Sequence, residues 1–320
     1  MTTASARQQL IELARQTTAP PMVYRTTSPR NDIDSPDFDV APGQLWIGRQ
    51  ESSSELLIVL DVHRDQRTVA AAPITIEPGI ETGDAVVLAP SVSPLETATA
   101  VWTGLVRDIP VRVLARPLGT LGESLTGFLR LAAANGATSA PDLGARPGTP
   151  DFDLYSPSVT AQAAIEDRFE EWASSLEPLP DSETPVEPVT AKLPVGLADV
   201  IAILRVPQAT AMAILRRERP LDPQELERLA SATGIPESEI QPFVPDLPPS
   251  LLTELEQPRW RRLVEAEAAA SGTDERAARQ TLGREAYALA ARQRGDEDSV
   301  WRGRVRMLSL ARLDEHPTER

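Results

Sequence analysis

Proline decides where this chain can be regular. Thirty prolines stand among its 320 residues, gathered into runs instead of being spread evenly. A proline lacks the N–H that a helix interior or a sheet ladder needs, and its ring restricts the residue before it. The runs in APPMVYRTTSPRNDIDSPDFDVAPG, at the two ends of 135–191 and in PFVPDLPPS therefore cut the chain into separate segments. The division expected is an N-terminal helix and irregular spacer (1–41), a strand-rich domain (42–136) and a Pro/Gly-rich linker with one helix (137–191). A compact helical domain (192–245) and a C-terminal helical domain (250–314) follow. A chain of this length can bury two or three separate cores.

Composition narrows the chemistry. There is no cysteine, which removes disulfides, thiol nucleophiles and thiolate metal sites. The two histidines, His63 and His316, are too few for a His-rich metal site and leave almost no material for a Ser-His-Asp triad. No motif points to a nucleotide, metal or flavin cofactor. GTLGES at Gly119–Ser124 lacks the lysine and the spacing of a phosphate loop. No uncharged apolar run reaches the roughly 18 residues of a spanning helix, and the opening MTTASARQQLIELARQ has no apolar signal core. A cytoplasmic protein without a membrane partner is the expectation.

Periodicity fills in the segments. Ser5 to Gln16 reads as a short amphipathic helix with Leu10, Ile11 and Ala14 as its stripe. From Gly43 to about Leu121 come short aliphatic runs, QLWIG, ELLIVLDV, RTVAAAPIT, DAVVLAP, TATAVW and VRVLA, at the interval of a small barrel or sandwich. Gly122 to Ala134 then turns helical, with Leu125, Phe128, Leu129 and Ala132 on one face. Ser158 to Leu176 is the helix inside the linker, with Ile165, Phe169 and Trp172 at helical spacing; Trp172 reads as a packing residue. Leu176 to Val189 holds four prolines among acids and reads as an exposed tether. Leu251 to about Leu313 is helical in two or three pieces, its twelve arginines against ten acids marking a solvated bundle, with Gly272 and Gly295 as helix ends.

Leu193 to Gln241 has the spacing of several short helices in tight succession. The net charge of -15 argues against wholesale binding to nucleic acid, yet Lys192, Arg205, Arg216, Arg217 and Arg219 face only Asp199 and Glu218 within 192–219. Leu197 to Leu204 reads as a first helix, Arg205-Val206 as its turn and Pro207 to Arg217 as a second helix, with proline at the first helical position. Asp222 can cap a third helix from Pro223, with Glu225 at the capping-box position, Leu226, Leu229 and Ala230 facing the core and Gly234 ending it. This pattern resembles the XRE/Cro/λ-repressor family over about 193–242. It departs from that family at Ile201, where a small residue is usual, at Arg205 in place of the turn glycine, and at Ala211 in place of a branched aliphatic. An exchange of bulk between Ile201 and Ala211 keeps the volume filled.

The resemblance implies a helix-turn-helix that binds DNA. Bases would be read by Gln208, Ala209 and Ala213, with Thr210 and Met212 beside them, and phosphates by Arg205, Arg216 and Arg217. So few readers require a dimer, another domain or DNA shape for specificity.

Residues 42–134 resemble the MazF/PemK family of toxin endoribonucleases through PGQLW, LLIVLDV, TVAAAPIT and VRVLARPLGTLGESLTGFL, in that order. The resemblance implies a small SH3-like barrel. It also implies a catalytic arginine before the second strand and a hydroxyl ending the third. Thr75 takes the hydroxyl position; where the family is basic this chain has Glu51-Ser-Ser-Ser-Glu55, with Arg49 on the opening strand and Arg107 further on.

The expected whole is a multidomain α+β protein: a MazF/PemK-like barrel, then an all-α helix-turn-helix domain and a C-terminal helical bundle. Its expected role is a DNA-binding transcriptional regulator of XRE type, its barrel serving assembly or sensing without catalysis. It would partner DNA and a protein or a second copy. The alternatives are a toxin-like endoribonuclease acting on RNA, with Thr75 and Arg49 or Arg107, and a protein-interaction scaffold of a toxin–antitoxin or defence-type system.

Overall fold

The computed structural model describes residues 38–77, 79–179, 193–216, 221, 223–240, 247–290 and 298–315. The helix expected over Ser5–Gln16, the cap at Asp222, the helix end at Gly295 and the basic residues Lys192, Arg217 and Arg219 lie outside them. The chain divides into two compact units, one built on Phe38–Leu176 and the other on Glu177–Arg320. An antiparallel sheet followed by helices is the α+β arrangement that the sequence implies.

In the first unit eight strands form one antiparallel sheet. They are β1 (Gln44–Gln50), β2 (Ser53–Val62), β3 (Thr68–Thr75), β4 (Val86–Leu88), β5 (Thr99–Val101), β6 (Arg107–Pro110), β7 (Leu114–Thr120) and β8 (Ala145–Pro147). Their order is β7-β1-β2-β3-β5-β4-β8, with β6 also on β3. One edge of β3 serves two partners: Ile74 and Thr75 pair with β5, and Thr68 to Ala71 with β6.

Two helices, α1 (Glu123–Asn135) and α2 (Pro157–Ser174), explain why the central strands read as continuous apolar runs. Successive strand residues point to opposite faces, so a strand covered on both sides is apolar at every position. Leu57, Ile58, Val59 and Leu60 are all buried. Trp46, Leu57, Val59, Ala71 and Trp102 pack with Ile165, Phe169 and Trp172 of α2. On the other face Leu45, Ile58, Leu60, Ala72 and Val101 pack with Leu125, Leu129 and Ala132 of α1. A β-bulge passes over Leu60 in the β2–β3 pairing, and the Leu60 carbonyl accepts the Nε–H of Arg130 from α1.

The segment 137–176, which the sequence presents as linker, belongs to this unit. Ala145–Pro147 is the last strand of the sheet, paired with β4. Glu81 fastens it: its carboxylate accepts from Arg146 Nη1 (2.8 Å) and Nη2 (3.1 Å) and from Thr149 N (3.2 Å) and Oγ1 (3.1 Å). Burial works to raise the pKa of Glu81, but these donors outweigh it and hold the carboxyl below its ordinary range. Trp172 enters the core because Gly48 has no side chain; a Cβ there would lie 2.7 Å from the indole. Its indole N–H donates to Ser53 Oγ at 3.1 Å.

The second unit has two apolar cores. One gathers α3 (Leu197–Leu204), α4 (Gln208–Leu215), α5 (Pro223–Thr233) and α6 (Glu237–Ile240) around Val200, Leu204, Ala211, Ile214, Leu226, Leu229 and Ile240. The other is made by α7 (Pro249–Leu255), α8 (Arg261–Ser271), α9 (Glu275–Ala290) and α10 (Asp298–Glu315), four helices where the sequence suggests two or three pieces. Its centre holds Leu251, Leu255, Trp260, Val264, Leu282, Trp301 and Val305. Glycines at 234 (φ 71°) and 272 (φ 66°) close α5 and α8 in the left-handed region, as their positions imply.

Candidate functional site

Of the residues expected to meet nucleic acid, Gln208, Ala209, Thr210, Met212 and Ala213 lie on α4, and Arg205 and Arg216 directly follow α3 and α4. Three residues, Arg205, Val206 and Pro207, separate the helices. Arg205 is left-handed, at φ 56° and ψ 40°, and its N–H returns to the Ile201 carbonyl. A non-glycine residue there costs about 1 kcal/mol, which the packing on both sides must offset. Pro207 precedes α4 rather than opening it, at φ -58° and ψ 151°, so the helix starts one residue later than the sequence implies. The extended ψ aims the chain into the turn, and the fixed proline φ suits that position equally well. Ala211 is fully buried, and Ile201 packs against the same core from α3.

What remains outside is a small polar and basic set. Gln208, Ala209, Arg205 and Arg216 are exposed, Thr210, Met212 and Ala213 half-buried. Gln208 and Ala209 are the first two residues of α4, where free backbone N–H groups and the positive end of the helix dipole lie. Arg205 and Arg216 stand at the C-terminal ends of α3 and α4 respectively. Arg217 lies outside the described residues.

The residues expected of a catalytic barrel are placed differently. Thr75 ends β3, and its hydroxyl is engaged twice: it donates to the Ile80 carbonyl and accepts the Trp102 indole N–H, each at 3.1 Å. Arg107 on β6 is bound to Glu166 of α2 at 3.0 Å. Arg49 is exposed on β1, paired in register with Ser54 next to the two-residue Glu51-Ser52 turn. Glu55 forms an ion pair with Arg168 of α2 at 2.7 Å; burial raises its pKa more than the arginine lowers it. Helix α2 thus holds three charged residues of this region, Glu55, Arg107 and, through Gln162 at 3.1 Å, Asp84. The sequence signal for that role was the apolar stripe of α2, which shows a buried face but not which surface it meets.

Among the described residues no group of three or more His, Asp and Glu side chains is placed to hold a metal ion, and no helix is long and apolar enough to cross a membrane. His63 Nε2 lies 2.7 Å from Asp108 Oδ1, and that hydrogen bond raises its pKa above the ordinary 6.5. A raised histidine pKa means that the pair contributes fully at pH below the unfolded value and is lost as pH climbs through the folded one. An NMR titration should place His63 above 6.5, and Asp108→Asn should bring it down; an unchanged titration in that variant would discount the pair.

No protein-family model matches the chain, and no curated protein matches it.

Proposed function

We propose that this protein is a DNA-binding regulator of bacterial XRE type, with 193–240 as its helix-turn-helix domain. The observation that carries this reading is the α3–α4 pair. Two eight-residue helices meet through three residues, with a left-handed turn at Arg205 and exposed Gln208 and Ala209 opening the second helix. In this mode of docking, the N-terminal residues of the second helix meet base edges in the major groove. Gln208 offers a bidentate pair to adenine, and the methyl groups of Ala209 and Ala213 suit thymine. Arg205, Arg216 and Arg217 take phosphates, which set position without sequence.

The first unit, read as a MazF/PemK-like barrel, serves assembly or sensing in this account. The doubly engaged Thr75 hydroxyl, the Arg107–Glu166 pair and the Glu55–Arg168 pair favour a role without RNA cleavage.

A mobility-shift series on DNA upstream of its own gene tests the reading. Arg216→Ala should weaken binding on all sequences and reduce the salt slope by about 1, and Gln208→Ala should cost roughly 1–3 kcal/mol at one base position only. No shift by the pure protein at low salt would remove DNA from its function.

A further inference from the structure

The chain contains the tetrapeptide Pro-Asp-Phe-Asp twice, within two similar hexapeptides. Ser35-Pro-Asp-Phe-Asp-Val40 and Thr149-Pro-Asp-Phe-Asp-Leu154 share Pro, Asp, Phe and Asp in register, with a hydroxyl residue first and an aliphatic residue last. The two copies have opposite fates. In the first, Phe38 lies edge-on to Trp46, ring centroids 5.6 Å apart at 75°, and Val40 packs against the same core. In the second, Phe152 is 91% exposed, Leu154 77% and Tyr155 92%.

That exposure is not looseness of the loop. Thr149 is bound to Glu81, Asp151 accepts from the N–H of Asp153, and Asp153 from that of Tyr155, while Ser156 caps α2. Three large apolar or aromatic side chains within four residues, Phe152, Leu154 and Tyr155, are thus held outward on a fastened loop. Such a cluster marks an interaction surface. The first copy shows what receives this sequence: the Trp46 ring, with the aliphatic residue two places on packed against the same core.

We infer that Phe152–Leu154 of one molecule docks on a second copy of this chain, at the Trp46 face that Phe38 and Val40 occupy within a single molecule. The contact is heterologous, since one surface takes the loop and a different surface offers it; it therefore builds rings or open chains of subunits instead of an isologous pair. Phe38 competes from within the same chain at an effective concentration on the order of millimolar, so the intermolecular contact forms fully only when Phe38 leaves. Phe38 is thus the regulator of the second copy.

The test uses the full chain and a fluorescent peptide of residues 149–156. The Phe38→Ala chain should bind the peptide saturably and about tenfold or more tighter than wild type, and the peptide carrying Phe152→Ala should not bind. In sedimentation, Phe38→Ala should raise the association of the full chain, and adding Phe152→Ala, at an exposed site, should abolish that gain. Should Phe38→Ala fail to fold, Phe38→Leu keeps an apolar group on Trp46 without the ring and should show the same order of peptides. Equal binding of both peptides, or no binding by a folded Phe38 variant, overturns the inference.

Discussion

Trp172→Ala is expected to destabilise the first unit by about 3–5 kcal/mol, the usual cost of emptying a large aromatic site. Trp172 is fully buried between β1, β2 and Phe169, with ring centroids of the two aromatics 5.3 Å apart. A domain has about 5–15 kcal/mol to lose, so such a change approaches unfolding. Urea denaturation followed by near-ultraviolet circular dichroism measures it, and the transition of the second unit should stay in place. Gly48→Ala provides the cross-check, because its Cβ would press on the indole at 2.7 Å. In the Trp172→Ala background the clash with the indole is gone and only Leu57 Cδ2, 2.8 Å from that Cβ, must still give way, so the two losses should fall short of adding. A cost of Trp172→Ala near zero would show that α2 lies on the sheet without contributing to its core.

Glu254→Ala should damage the second unit by a comparable amount. Glu254 is buried on α7 and accepts from Arg259 Nε (3.0 Å), Arg259 Nη2 (3.2 Å) and Trp260 Nε1 (2.7 Å). Arg259 is itself buried, its side chain 1% exposed. Removing the carboxylate takes this acceptor from the buried Arg259 guanidinium and the Trp260 indole N–H, and an ion-pair partner from Arg302. Breaking a buried pair from one side costs about 3–5 kcal/mol, whereas exchanging both partners for apolar groups of similar volume is often neutral. Glu254→Met with Arg259→Met should therefore recover much of the loss, the Trp260 N–H and Arg302, whose Nε lies 3.7 Å from Glu254 Oε1, accounting for the remainder. If the double variant is less stable than Glu254→Ala alone, the pair does more than neutralise itself.

These two positions were unequally legible in the sequence. Trp172 stood on a helical stripe with Ile165 and Phe169, and a packing role followed from spacing alone. Glu254 gave no such sign. A glutamate on a short helix between prolines reads as solvated, and it turns inward only because Arg259 and Trp260 come back to it from the following turn. The candidate DNA-contacting residues follow the same division. The family resemblance placed Gln208 and Ala209 near the start of a helix and Ala211 at its contact with the first; that Ile214 joins the same core came from the fold. That Arg205 takes a left-handed turn depends on both helices being held by their packing.

By itself the sequence determined the breaks and the faces. Proline runs mark where regular structure stops, and apolar spacing of two or of three to four marks what each element buries; both are local properties of the chain. The tertiary structure alone decided what each face meets. Residues 137–176 look like linker because prolines and glycines surround a single helix. They became part of the first unit because β4 had an open edge for Ala145–Pro147, Glu81 could clamp Arg146 and Thr149, and Gly48 left room for Trp172. Edges, clamps and vacant space belong to pairs of segments distant in sequence, and no window along one chain contains them.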